Sequence, residues 1–148
     1  MKRSALALVL CSILVLAACG GGNSHSGSIN GLWTATLSDV NGDTVFGFTT
    51  NFVQQSGSSL QIVNFQFTTN SPCFANEQLS ETASFVLAGD FNGNVTGQLQ
   101  MTVSTTFPSN NNVLTLNGAA NGNTITGTWT LSGGTGCSGN GTFNMTRR

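Results

Sequence analysis

From residue 29 onward, apolar and polar side chains alternate with a period of two, and the alternation restarts after each cluster of Gly, Asn, Ser or Asp. Residues 121–132 show the pattern most plainly. Asn121-Gly122, a pair suited to the positive φ angles of a tight hairpin turn, precedes Ile125, Gly127, Trp129 and Leu131 on one face and Thr124, Thr126, Thr128, Thr130 and Ser132 on the other. This is the signature of a half-buried antiparallel strand. The same reading predicts strands over 29–38, with Ile29, Gly31, Trp33, Ala35 and Leu37 on one face, and over 44–54, with Phe46, Phe48, Thr50 and Phe52 buried. Further strands are predicted over 60–69, 82–91 (Ala83, Phe85, Leu87 and Phe91 inward), 95–107, 113–120 and 137–146. Within 60–69, Leu60 and Ile62 fall out of phase with Val63, Phe65 and Phe67, which predicts a β-bulge at 62–64. The one long connection, 70–81, holds Cys73, Glu77 and Glu81.

No helical period appears after residue 28. Eight consecutive strands joined mostly by short turns form an up-and-down meander, and pairing the first strand with the last removes both open edges. The predicted fold is therefore all-β, an antiparallel eight-stranded up-and-down β-barrel, with a β-sandwich as the alternative. In a barrel of this size the interior is either filled by side chains or holds one small ligand. With the first strand starting at the bottom, the connections after the odd-numbered strands all lie at the top, where the longer loops gather.

The N-terminus is organised differently. Met1-Lys2-Arg3 is a basic flank, residues 5–16 are apolar apart from Cys11 and Ser12, and small residues follow, as in a secretory signal too short to span a bilayer. Leu16-Ala17-Ala18-Cys19 resembles the lipobox of bacterial lipoproteins. The resemblance implies cleavage of residues 1–18 and acylation of Cys19 as the first residue, hence a membrane partner reached through an N-terminal lipid. Gly20 and Gly21 offer no Asp of the kind that retains lipoproteins at an inner membrane, so the expected address is the outer membrane of a bacterial envelope. Residues 19–28 then form the lipidated cysteine and a Gly/Ser tether, and 29–148 the barrel domain. His25, the only histidine, lies in that tether and reads as a solvated linker residue rather than a metal ligand.

Composition narrows the function. Of four cations, Lys2 and Arg3 belong to the signal, leaving Arg147 and Arg148 against all five acids, and nucleic-acid binding needs cations that this chain does not have. Ten Phe and 39% hydrophobic residues argue against disorder outside the tether. An integral outer-membrane barrel requires an apolar exterior, whereas the outer face here is Thr and Gln. With Cys11 lost and Cys19 acylated, Cys73 and Cys137 remain as a pair in an oxidising compartment, both at the top of the meander, and a disulfide between them is expected.

Gly31-x-Trp33 on the first strand, with Arg147 at the end of the last, resembles the calycin group of lipocalins and avidins, and Thr126-Gly127-Thr128-Trp129 is similar to runs in avidin strands. The resemblance implies that Trp33 and Arg147 both point inward and pack together at the bottom. The phenylalanines either fill the barrel or, with the tryptophans, line an apolar cavity whose candidate residues are Trp33, Phe46, Phe48, Phe65, Phe67, Phe85 and Trp129. Asp39-x-Asn41-x-Asp43 has oxygens spaced as in part of a calcium loop but lacks the rest, and reads as a hairpin turn. No cofactor and no metal are expected. General bases reduce to carboxylates, so the expected protein is a non-enzymatic binding or structural module, against the alternative of a hydrolase using Glu77, Glu81 or Asp90.

Overall fold

The computed structural model describes residues 28–68, 72–74, 79–87, 96–105 and 111–148. Its elements are β1 (Gly31–Asp39), β2 (Thr44–Gln54), β3 (Ser59–Phe67), β4 (Leu79–Leu87), β5 (Thr96–Thr105), β6 (Val113–Asn121), β7 (Thr124–Ser132) and β8 (Gly139–Arg147). Each strand pairs antiparallel with the next, and β1 also pairs with β8 from Trp33 opposite Arg147 to Asp39 opposite Gly141. That last ladder closes the sheet, so the barrel replaces the sandwich alternative.

Alternation along the strands puts one apolar set inside. Trp33, Ala35 and Leu37 of β1, Phe46, Phe48 and Phe52 of β2, and Leu99, Met101 and Val103 of β5 are buried together with Leu114, Leu116, Ile125, Trp129, Phe143 and Met145. Removing each of the larger side chains from water stabilises by about 1.5–3 kcal/mol. Where β7 crosses between β6 and β8, the wall is too tight for a side chain: a Cβ at Gly127 would sit 2.0 Å from the Asn117 carbonyl oxygen and 2.4 Å from the Gly118 Cα.

The bulge is present and sits at Asn64. Thr49 pairs with Gln66 but Asn51 pairs with Val63, so β3 spends an extra residue opposite Thr50, with Asn64 at φ 55°. The shift returns Ile62, Phe65 and Phe67 to one side, where all three pack against the core. A second irregularity, between Leu37 and Ser38 in the β1–β2 ladder, has no counterpart in the sequence reading.

The first and last strands start two residues later than expected, at Gly31 and Gly139, and the largest correction is at β4. β4 begins at Leu79 rather than Thr82, because its ladder with β5 continues through Ser80 opposite Ser104 to Leu79 opposite Thr105. Glu81 therefore belongs to the strand and not to the long connection, on the phase shared with Ala83 and Phe85.

The seam between β3 and β4 is the shortest in the wall. It consists of Ser59 opposite Ser84 and Leu60 opposite Ala83, with the Phe85 N–H donating to the Ser58 carbonyl at 2.7 Å. Above that point the described residues of the two strands form no further ladder pairs.

Candidate functional site

The lower end of the barrel is shut by the residues that precede β1. Ile29 is fully buried, and its carbonyl accepts the indole N–H of Trp33 at 2.8 Å. The guanidinium of Arg147 lies 4.9 Å from the centre of the Trp33 ring and donates to the Ser28 carbonyl. Asn30 accepts the Gln54 N–H through its side chain. Gly31 is required here by its backbone, whose φ of +127° L side chains rarely adopt, while the Arg147 side chain, 3.8 Å from where a Cβ would stand, would leave room for one. Trp33 and Arg147 thus meet at the bottom, as the Gly-x-Trp pattern implied. Burial pushes the Arg147 pKa down from its usual value, and its Nε is buried without a partner.

The upper end is closed by other means. Trp129 donates its indole N–H to the Ser38 carbonyl at 2.8 Å and meets Phe46 edge-on at 5.6 Å. Above it, Cys73 and Cys137 form the expected disulfide, with Cα atoms 5.6 Å apart. Beside the disulfide, Asn112 is buried and all its polar groups are used. Its amide donates to the Cys73 carbonyl at 2.6 Å, its side-chain oxygen accepts the Gly134 N–H at 3.0 Å, and its backbone exchanges bonds with Thr105 at 3.1 and 3.0 Å. One side chain therefore ties together three of the four loops of this end. Asn112→Ala leaves the Cys73 carbonyl and the Gly134 N–H without their partner, and is expected to cost about 2–3 kcal/mol in a urea titration. A loss below 0.5 kcal/mol would mean that water replaces the amide.

Asp39 serves the turn between β1 and β2. Its carboxylate accepts the N–H groups of Asn41 at 2.8 Å and Asp43 at 3.0 Å, and the bond from Asn41, chiefly, holds its carboxyl below the usual range. The calcium-like spacing is thus occupied by turn hydrogen bonds. Among the described residues, no three His, Cys, Asp or Glu side chains are grouped as a metal would require.

The seven candidate cavity residues fall into four places. Trp33 belongs to the lower closure, with Phe52 at 6.5 Å, and Phe46 with Trp129 to the upper one. Phe85 is buried in β4. Phe48, Phe65 and Phe67 form a chain of ring contacts that continues to Phe74: Phe48 to Phe65 at 5.0 Å, Phe65 to Phe67 at 5.0 Å, and Phe67 stacked on Phe74 at 5.0 Å. This chain starts at fully buried Phe48 and reaches half-buried Phe65 and Phe67, on the strand whose pairing with β4 ends at Leu60. Leu79 and Ala83 lie across the seam, also half-buried, with Glu81 between them opposite Val103.

Thr50, which faces inward between Phe48 and Phe52, is the residue whose importance the sequence did not disclose. It is fully buried, and its hydroxyl has no hydrogen-bond partner. Trp33 stands opposite it on β1, and the β3 bulge at Asn64 and Phe65 lies on its other side. Cys19, His25, Glu77 and Asp90 lie outside the described residues. Comparison with family models, with curated proteins and with solved structures returns no match to this chain.

Proposed function

We propose that the chain is a lipid-anchored, non-enzymatic protein of a bacterial envelope whose barrel takes up one small apolar molecule through the β3–β4 side of its wall. The observation that carries the ligand is Thr50, a fully buried hydroxyl without a partner, flanked on its strand by buried Phe48 and Phe52. Leaving a buried hydroxyl unpaired costs about 1–3 kcal/mol, a cost removed by a ligand that brings one hydrogen-bonding group among its carbons. The aromatic chain of Phe48, Phe65 and Phe67 supplies the apolar contact beside the seam. The anchor rests on Leu16-Ala17-Ala18-Cys19 behind a basic and apolar leader, and the outer membrane on the absence of Asp after Cys19.

Protein extracted gently from bacterial membranes tests both parts by mass. The N-terminal peptide should begin at Cys19 and carry acyl chains, and the intact protein should carry a noncovalent adduct of lipid size. Thr50→Val is expected to weaken saturable binding of a fluorescent fatty probe several-fold while raising unfolding stability by about 1 kcal/mol, since it deletes an unpaired buried group. Neither adduct nor saturable uptake would end the ligand reading, and turnover of any substrate in a broad hydrolase panel would replace it with carboxylate chemistry.

A further inference from the structure

Among the described residues, the two ends of the barrel differ in charge as well as in closure. At the end where the chain leads back toward Cys19, Arg148 is exposed and Arg147 half-buried, and the groups that meet the Arg147 guanidinium are the Trp33 ring and the Ser28 carbonyl rather than a carboxylate. At the opposite end, the turn after β1 carries Asp39 and Asp43, and Glu81 lies in the half of β4 nearest to it. Two exposed aliphatic side chains stand at the arginine end, Leu32 at 42% on β1 and Val86 at 56% on β4. Leu32 adjoins Arg148, whose N–H donates to its carbonyl at 2.9 Å. Val40 and Val45 are exposed at the other end, but there they stand beside Asp39 and Asp43.

We propose that the lower end of the barrel is a membrane-docking face, which seats Leu32 and Val86 at the headgroup boundary and sets Arg147 and Arg148 against anionic lipid phosphates. The proposal rests on the lipid-anchor reading, which makes a bilayer the surface nearest to this end. Residues 19–27 separate Cys19 from Ser28, and nine residues reach no farther than roughly 30 Å even when fully extended. A domain held that close meets the bilayer at high effective concentration, so contacts too weak to recruit a free protein suffice to orient a tethered one. Each arginine near an anionic surface shifts the docking equilibrium constant roughly fivefold, and the acids at the far end oppose the inverted orientation. Docking this way up leaves the disulfide-held loops pointing outward. Asp90 lies outside the described residues.

The test bypasses the cell's own lipidation. Residues 19–148 contain every strand of the closed barrel, and with Cys73 bonded to Cys137 the single free thiol is Cys19. That thiol is coupled to a maleimide lipid in vesicles of phosphatidylcholine alone or with phosphatidylglycerol, and amide hydrogen exchange is followed along the chain. The expected result is exchange slowed several-fold at 28–33, 122–123 and 146–148 on the anionic vesicles only, with 39–43 and 134–136 unchanged. Salt near 1 M, where the screening length is about 3 Å, should remove most of the effect, as should Arg148→Gln combined with Leu32→Ser. Equal protection on both lipids, protection at 39–43, or indifference to the double substitution would overturn docking by this face. The mass of Cys19 in cells is measured separately, so failure of the anchor and failure of the docking face are distinguishable.

Discussion

Replacing Cys73 and Cys137 together with serine should lower the unfolding free energy by as much as about 4 kcal/mol. The bond closes a loop with a sequence separation of 64 residues, and freeing the denatured chain from it returns conformational entropy that grows with the logarithm of loop length. The figure is an upper bound because denatured chains keep some compactness. The bond also does local work, since it holds the Cys73 carbonyl where Asn112 can reach it and so fixes the loops at the upper end. The double variant should therefore lose more than the crosslink alone: exchange at 134–136 and around Asn112 should accelerate even under conditions where the barrel stays folded. The measurement is a urea titration of the oxidised, reduced and serine forms. Reduced wild type and the serine variant should agree within about 0.5 kcal/mol, both below the oxidised protein. Equal stability of all three would show that the bond closes no entropy in the unfolded chain.

The barrel was legible in the sequence because nearly every strand buries one face, so a period of two marks both the strand and its orientation. Even the bulge at Asn64 declared itself, since Leu60 and Phe65 cannot both face inward without an extra residue between them. The pairing of Cys73 with Cys137 followed from counting turns, which needs only topology. What stayed hidden depended on side chains that break the pattern. Glu81 lies on the inward phase of β4, and a carboxylate there reads as the end of a loop. Asn112 follows a Pro and Asn cluster typical of a turn, yet it is buried because three loops distant in sequence converge on it. Thr50 matched its strand by position alone, and nothing in a sequence tells a paired hydroxyl from an unpaired one. The cavity residues illustrate the same limit: alternation places Trp33, Phe48 and Trp129 inside, but only geometry separates two end closures from an aromatic chain at the seam.

Trp33→Ala should be the most damaging single substitution in the barrel, costing about 3–5 kcal/mol. Removing a fully buried indole forfeits its transfer free energy and leaves a cavity that closed strands cannot collapse to fill. The loss does not stop there, because the indole N–H holds the Ile29 carbonyl and the ring face carries the Arg147 guanidinium. Trp33→Phe separates these contributions. It keeps a ring under the cation but orphans the Ile29 carbonyl, so it should cost about 1–3 kcal/mol, less than the alanine variant. Arg147→Met keeps much of the aliphatic stem that passes Gly31 while removing the charge and the bond to Ser28. If the tryptophan and the arginine act as one closure, the cost of combining Trp33→Ala with Arg147→Met should fall short of the sum of the single costs by about 0.5–2 kcal/mol. A strictly additive pair would mean that each holds the Ser28 to Asn30 segment independently. The coupled result bears on the proposed anchor, since that segment joins β1 to the chain that leads from Cys19, and whatever loosens it would free the barrel to turn on the proposed membrane surface.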